Sequence, residues 1–597
     1  MSMTTGKQVT LAVEEARSAS FPLTFDGTVG LFSPARGAGR RVAVLFVSPW
    51  GLEEMCGRKF FRILAERLAE NGFASLRFDY PGTGDSLADD VEKIDLQVWL
   101  DSFSTAATRL KQLSGCDRLV VVAQGVGATV AIKALEAGAD CEAIALLAPV
   151  VSGRSYTREI AAMAQMINDK LHITEPVASG AGLTMAGLSM SEGLVGDIKK
   201  IDLMKVDACP ARMAIVFCRS ERPADAAFTD HLATLGVDVR QAPFDGYAKL
   251  TTNPTVAVVP DEVVGDLLAW MTDRYPEQGA AWDVLPPSCG SHGDEGFLEQ
   301  PTRLGADGRM FGILCRPSAQ MIEQPVSVLL LSSGYDRMSG WGRSSVKLAR
   351  ALAQQGISSL RFDCANVADS PPVPGLEGQV LYEPAQLDDV SAALDLLTER
   401  MPGVRIVAAG RCSGAYLALQ AAWTDDRIDG VVAVNPETFE WQPGRSVEDA
   451  LDNPTQSMDH YVSNLWRLST FRRIARGEVD LSSKARQVSK GIGRRLLRPL
   501  VWMTGGLTAR ERVVCAGFRT LVQRGVSVKL LYSPGDIGLE EFGHFFGAGG
   551  GQLVRFSGMS HAVVAGADHN FTPRQAREVY LDAIAEMAGP PEKRAAG

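Results

Sequence analysis

A chain of 597 residues is longer than one ordinary hydrophobic core serves, and length favours two to four domains. Its 46% hydrophobic and 22% charged residues are those of a soluble globular protein, no apolar run approaches the ~20 residues that span a bilayer, and residues 1–21 lack a signal-peptide core, so the expected location is cytoplasmic. A net charge of −10 argues against general nucleic-acid binding, and ten scattered cysteines without a CxxC pair argue against a zinc site or a disulfide framework; no metal or cofactor is expected.

In chain order, residues 42–50 read as a buried strand and 60–71 as a helix. Gly72-Phe-Ala-Ser-Leu-Arg-Phe-Asp79 reads as a second strand that runs into the turn Gly82-Thr-Gly-Asp-Ser86. Residues 120–132 (VVVAQGVGATVAI) combine a strand, a tight turn and a helix; 143–149 and 215–220 are further buried strands. Residues 276–293 (PEQGAAWDVLPPSCGSHG) are rich in structure-punctuating residues and mark a join. Beyond it the pattern restarts. Residues 297–317 resemble 21–34 as a leading strand pair, 326–333 the first buried strand and 344–355 the helix. Gly356-Ile-Ser-Ser-Leu-Arg-Phe-Asp363 and Ala368-Asp-Ser370 repeat Leu-Arg-Phe-Asp and Asp-Ser at a constant offset of 284 residues, and 407–419 (VAAGRCSGAYLAL) align with 120–132. Short apolar runs alternating with longer helical patterns imply βαβ units. The prediction is a duplicated α/β domain, residues 1–278 and 279–597, each a mainly parallel sheet flanked by helices.

Gly410-Arg411-Cys412-Ser413-Gly414 lies between strand-like residues 404–409 and helix-like residues 415–422, the layout of a nucleophile elbow with cysteine as the nucleophile. Small neighbours let the side chain stand clear of a crowded turn, and the helix N-terminus favours the thiolate, which is the reactive form.

The order strand, elbow, strand, acid, histidine resembles the α/β-hydrolase fold. Ser48-Pro-Trp-Gly-Leu-Glu-Glu54, Leu76-Arg-Phe-Asp-Tyr-Pro-Gly-Thr-Gly-Asp-Ser86 and Gly410-Arg-Cys-Ser-Gly-Ala415 are similar to the serine-aminopeptidase-like hydrolases associated with bacterial exopolysaccharide and exosortase systems. The resemblance covers nearly the whole chain. It implies a triad in the order nucleophile, acid, histidine, with the acid after a late strand and the histidine on a loop before the last helix. Residues 526–533 are the late strand, Pro534-Gly535-Asp536 follows, and Gly566-Ala-Asp-His-Asn-Phe571 precedes a helix that begins near Pro573. The expected triad is therefore Cys412, Asp536 and His569. Its rivals are His561, which reads as strand, and His544, in an aromatic loop; Glu540, Glu541 and Asp568 compete with Asp536, and Ser413 would serve only in an elbow shifted by one. Expected oxyanion donors are the backbone N–H of Ser413 and that of Gly334 or Tyr335.

The first copy fails the same test. Gly125 stands where the nucleophile should be; Glu221 is available as acid, but no histidine lies between His231 and His292, and the histidine loop reads Phe244-Asp-Gly-Tyr-Ala-Lys249. This copy is expected to be catalytically silent. Asp85 and Asp369, in the paired Asp-Ser turns, read as turn-capping residues.

The roughly ninety residues between 436 and 526 exceed a normal connection, and a helical lid is expected at about 437–520. Within it, residues 468–500 interleave nine arginines and lysines, Arg472 to Arg498, with apolar side chains. A basic amphipathic stretch in an acidic protein suggests an anionic partner: CoA phosphates, an acidic saccharide or a peripheral membrane contact. Arg411, Trp441, Tyr461 and Trp466 are candidate substrate contacts. The expected activity is hydrolysis of a small-molecule or saccharide acyl ester or thioester through an acyl-cysteine. A cysteine elbow is also similar to that of polyhydroxyalkanoate synthases, which leaves acyl transfer from a CoA thioester as an alternative; a non-catalytic scaffold of a polysaccharide-assembly complex is a third reading. Peptidase activity suits the serine of the family better than a cysteine.

Overall fold

The computed structural model describes residues 20–88, 91–170, 181–185, 187–209, 211–279, 288–305, 307–378, 380–441 and 508–589. Its strands in chain order are β1 (Phe21–Phe25), β2 (Thr28–Ser33), β3 (Val42–Val47), β4 (Ala74–Phe78), β5 (Arg118–Gln124), β6 (Ala143–Leu147), β7 (Ala181–Met185), β8 (Leu188–Ser191), β9 (Met213–Cys218) and β10 (Asp238–Pro243). They continue as β11 (His292–Gly293), β12 (Phe297–Leu304), β13 (Met310–Pro317), β14 (Val326–Leu331), β15 (Ser358–Phe362), β16 (Arg405–Arg411), β17 (Ile428–Val434), β18 (Ser527–Tyr532) and β19 (Met559–Val563). One sheet has eight strands in the order β1-β2-β4-β3-β5-β6-β9-β10 and the other nine in the order β11-β12-β13-β15-β14-β16-β17-β18-β19; β7 and β8 form a separate ribbon. Each sheet opens on antiparallel strands and continues as a parallel run. The fold is α/β, with two mainly parallel sheets flanked by helices.

The chain falls into two compact units, the first comprising Met1–Ile322, Tyr335–Gln354 and Arg361–Gly378, the second Glu323–Gly334, Gln355–Leu360 and Gln379–Gly597. In the first unit every residue of β3 is buried, as a parallel strand with helices on both faces requires. Its side chains alternate between two cores: Ala43, Leu45 and Val47 pack with Trp99, Phe103 and Leu110, while Val42, Val44 and Phe46 pack with Phe60, Leu64 and Trp270. The helix expected over 60–71 begins earlier, at Leu52, with Glu53 and Glu54 in its first turn. In the second unit, β14, β16, β17, β18 and β19 are successive parallel neighbours, and the elbow helix Ser413–Thr424 follows β16 directly. The last helix, Arg574–Ala588, starts after Pro573 as its N-cap.

The first unit also holds a network of buried ions built from the repeated motifs. Arg77 of the first Leu-Arg-Phe-Asp pairs with Asp369 of the second Asp-Ser turn, and Arg361 of the second motif pairs reciprocally with Asp85 of the first turn at 3.1 Å. Arg58 bridges Asp369 (2.7 Å) and Asp79 (2.8 Å), and Arg337 bridges Asp79 (2.9 Å) and Asp85 (3.0 Å). The turns themselves are capped by Asp79 and Asp363, whose carboxylates accept from the backbone N–H of Asp85 and Asp369. Asp85 and Asp369, read from the sequence as turn caps, are instead the buried acceptors of arginines that lie far away in the chain. Among the described residues no helix is long and apolar enough to cross a membrane, and no group of three or more His, Cys, Asp or Glu is placed to hold a metal ion.

Candidate functional site

Cys412 sits at the tip of the elbow between β16 and the helix Ser413–Thr424, with φ 54° and ψ −120°. A non-glycine residue in this region of backbone space is strained and is held there only by its surroundings. The flanking glycines are what make the turn buildable. A Cβ on Gly410 would lie 2.3 Å from the Gly414 carbonyl oxygen, and one on Gly414 would lie 2.5 Å and 2.7 Å from the carbonyl oxygens of Leu331 and Ser332. The backbone N–H of Cys412 donates to Val434 O at 2.8 Å, which ties the elbow to the end of β17.

The three residues expected from the sequence are brought together. Asp536, buried just beyond β18, accepts from Nδ1 of His569 at 2.6 Å, while its other carboxylate oxygen accepts from Gly538 N at 2.9 Å. The remaining ring nitrogen of His569 is left for Cys412, and the thiol and imidazole are hydrogen-bonded. Burial alone would push the Cys412 thiol up; the hydrogen bond to His569, the imidazolium charge and the Arg411 guanidinium outweigh it and hold the thiol below its ordinary value. Burial likewise works against a charged His569, but its hydrogen bonds to Asp536 and Cys412 and their negative charges raise it to about 10. The geometry is thus a cysteine–histidine–carboxylate chain in which both shifts favour the charged forms of Cys412 and His569, and protonation belongs to the pair.

The rivals are committed elsewhere. Glu541 accepts from Phe439 N at 3.1 Å and pairs with Arg510; Asp568 caps Thr572 through N (2.6 Å) and Oγ1 (2.8 Å). His561 lies in β19, as its sequence suggested, against Phe542. His544, expected in a loop, lies in the helix Gly538–Phe546, with Nε2 2.8 Å from Glu511. Glu540 is in the first turn of that same helix.

The other expected contacts are placed as follows. Ser413 begins the helix, where the first N–H groups have no intrahelical acceptor. Its hydroxyl accepts from Gly334 N at 2.6 Å, so the Gly334 N–H assigned to the oxyanion is engaged by Ser413 in this state. Tyr335 counts with the first unit, where Lys59 Nζ lies 5.6 Å above its ring. Arg411, expected to touch substrate, donates to Asn570 Oδ1 beside His569. Trp441 stacks face to face on Tyr382 at 4.0 Å, with Tyr416 edge-on to Tyr382 at 5.0 Å. Tyr461, Trp466 and the basic stretch 468–500 lie outside the described residues.

The first copy retains the elbow without the nucleophile. Gly125 has φ 55° and ψ −126°, and its N–H donates to Leu147 O at 3.0 Å, matching Cys412 on Val434. The space of the missing side chain is filled: a Cβ on Gly125 would lie 2.5 Å from Glu53 Oε2. Glu53 Oε1 accepts from Gln124 Nε2 (3.0 Å) and from Tyr247 OH (3.2 Å), and Tyr247 belongs to residues 244–249, which the sequence aligned with the histidine loop. Burial raises the Glu53 carboxyl against those two hydrogen bonds and the Arg219 charge. Glu221 is exposed and accepts from Ser220, while Arg219 pairs with Asp225 at 2.8 Å. Sequence reading missed Glu53 because only the fold carries it from the first turn of the helix after β3 to the elbow; the absence of a side chain at Gly125 was the available signal.

Residues 40–220 match the family model described as serine aminopeptidase, S33. A search of the curated proteins finds no match. Among solved structures, similar ones include an alpha-beta serine hydrolase homologue from Coxiella burnetii, at 15% identity over 46% of this chain and 91% of that one, with a TM-score of 0.27. Others are a cold-adapted esterase from an Arctic intertidal metagenomic library (16% identity, 50% of this chain and 97% of that one, TM-score 0.28) and a proline iminopeptidase of Mycobacterium smegmatis (14%, 43% and 98%, TM-score 0.30). The family match is thus confined to residues 40–220, while the α/β architecture and the strand–elbow–helix layout are present in both halves of the chain.

Proposed function

We propose that the second copy, residues 279–597, is a cysteine-dependent acyl hydrolase acting on an ester or thioester, and that the first copy, residues 1–278, is catalytically silent. The observation that carries the reading is the hydrogen-bonded chain from Asp536 through His569 to a cysteine on a positive-φ elbow. In the proposed mechanism Cys412 Sγ attacks the acyl carbonyl carbon, and the resulting oxyanion is met by the Ser413 N–H, joined by Gly334 N–H if Ser413 Oγ releases it. His569 then gives its proton to the departing alcohol or thiol as the bond to the acyl carbon breaks, leaving an acyl-cysteine. Water attacks that thioester while the now neutral His569 takes its proton, and the carboxylic acid departs with the thiolate–imidazolium pair restored. Asp536 holds the imidazole and favours its charged form throughout.

Acyl transfer from a thioester donor is the second reading, because exchange between a thioester and Cys412 is nearly balanced in free energy. The substrate class, a place in exopolysaccharide metabolism, a cytoplasmic location and an anionic partner for the basic stretch 468–500 remain part of the same proposal, on the sequence alone. The test is intact mass of wild type and Cys412→Ala after brief exposure to an acyl-CoA and to a p-nitrophenyl ester. An adduct that needs Cys412 supports the reading, and its lifetime in water separates hydrolase from transferase. Equal turnover by Cys412→Ala refutes it.

A further inference from the structure

The end of β17 offers a comparison inside one molecule. Asn435 follows β17 in the second copy and Ala148 follows β6 in the first, each immediately before a proline, Pro436 and Pro149. Both are fully buried and both have φ 47°. Their backbones are held alike: Asn435 N donates to Leu531 O at 2.8 Å and Ala148 N to Phe217 O at 3.0 Å. The chain path therefore does not require asparagine at this point, since alanine adopts it in the first copy. What differs is the side chain. Asn435 Oδ1 accepts from Ser533 N (2.8 Å) and Ser533 Oγ (3.3 Å), and its Nδ2 donates to His569 O at 2.9 Å. Ser533 begins the turn that carries Asp536, whose N–H donates back to Ser533 O at 3.3 Å. One buried amide thus joins the acid loop to the histidine loop, in the copy that holds both residues, and is missing from the copy that holds neither.

We infer that Asn435 is a positioning residue of the reaction: it fixes the separation of the Asp536 and His569 loops, so that the imidazole stays within reach of both Asp536 and Cys412. The inference rests on the triad reading above. A buried amide whose oxygen and nitrogen face different loops sets a distance that backbone contacts at β17 do not set, and a misplacement of about 1 Å in such a constellation costs on the order of 100-fold in rate.

The experiment compares wild type with Asn435→Ala, the residue the first copy carries, and Asn435→Gly, which takes φ 47° without strain. His569→Ala is the reference. Two readouts are used: kcat and KM with p-nitrophenyl acetate, and the pH midpoint of Cys412 alkylation by iodoacetamide, read by peptide mass. The expected result for both variants is native circular dichroism, KM within about twofold, kcat lower by roughly 10–100-fold, and a midpoint raised by about one pH unit. Unchanged kcat and midpoint, or loss of folding in both variants, would overturn the inference, the latter by making Asn435 a residue of the fold alone. Failure of the triad reading looks different: His569→Ala itself leaves the midpoint of Cys412 where it is in wild type.

Discussion

At pH 7 a brief, limiting dose of iodoacetamide should label Cys412 before any other cysteine of the ten. Cys56, Cys116, Cys141, Cys209, Cys218, Cys315 and Cys515 are all pushed up by burial, Cys515 to about 11 and Cys56 to about 12, whereas Cys412 is drawn below the ordinary 9.0. A thiol at 9.0 is about 1% thiolate at pH 7, and one at 11 about 0.01%. If the pair at Cys412 is mostly ionised it holds ~100 times the thiolate of an ordinary cysteine. A low-pKa thiolate is intrinsically slower, which returns about tenfold against a thiol at 9.0 and about 100-fold against one at 11, so a net advantage of about tenfold over a free thiol and about 10² over Cys515 is expected. His569→Ala removes both the hydrogen bond and the charge that oppose burial, and labelling at Cys412 should slow by about 10–100-fold. Peptide mass spectrometry over a time course reads both. Label spread over several cysteines, or a His569→Ala rate within twofold of wild type, would refute the electrostatic argument.

The pH dependence of stability follows from the same pair. His569, raised from 6.5 to about 10, contributes stability that is present below 6.5 and lost as pH rises through 10; Cys412, lowered from 9.0, contributes stability present above 9.0 and lost as pH falls. Between about 6.5 and 9.0 the two slopes cancel, because folded and unfolded states each hold one proton on the pair. The unfolding free energy of wild type minus that of Cys412→Ala/His569→Ala should therefore be flat across that window in urea titrations and fall on either side; a steady slope through it would contradict the coupling. Asp369→Ala should cost about 3–5 kcal/mol in the same titrations, since it strands Arg77 and removes one of the carboxylates of Arg58 in the buried network, and a loss under 1 kcal/mol would show that water compensates them. Gly125→Cys in a Cys412→Ala background should form no acyl adduct with p-nitrophenyl esters, because Glu53 occupies the space the new side chain needs; an adduct at residue 125 would refute that reading of the first copy.

How much of this was legible in the sequence depended on the range of the interactions concerned. The elbow was readable because its constraints are local: strand, two small residues and helix are contiguous, and Gly410 and Gly414 are demanded by carbonyls within the turn or directly beneath it. Asp536 and His569 were found through the order that the α/β-hydrolase resemblance implies, which points to the element ends after β18 and before the last helix. Asn435 was hidden, since its partners Ser533 and His569 lie about 100 and 134 residues further on, and an Asn-Pro at a strand end reads as an ordinary turn. Glu53 was hidden for the same reason, as was the fate of Asp85 and Asp369, whose arginines are separated from them by almost half the chain. That the Gly334 N–H meets the Ser413 hydroxyl was hidden too, because nothing local in the sequence reveals it.

The reciprocal pairing of Arg77 with Asp369 and Arg361 with Asp85 bears on why a copy without a nucleophile persists. In these two pairs each repeat supplies a counter-ion to a buried arginine of the other. Deleting either repeat would leave unneutralised charges in the interior of the remainder, so the pair can drift in chemistry but not in partnership.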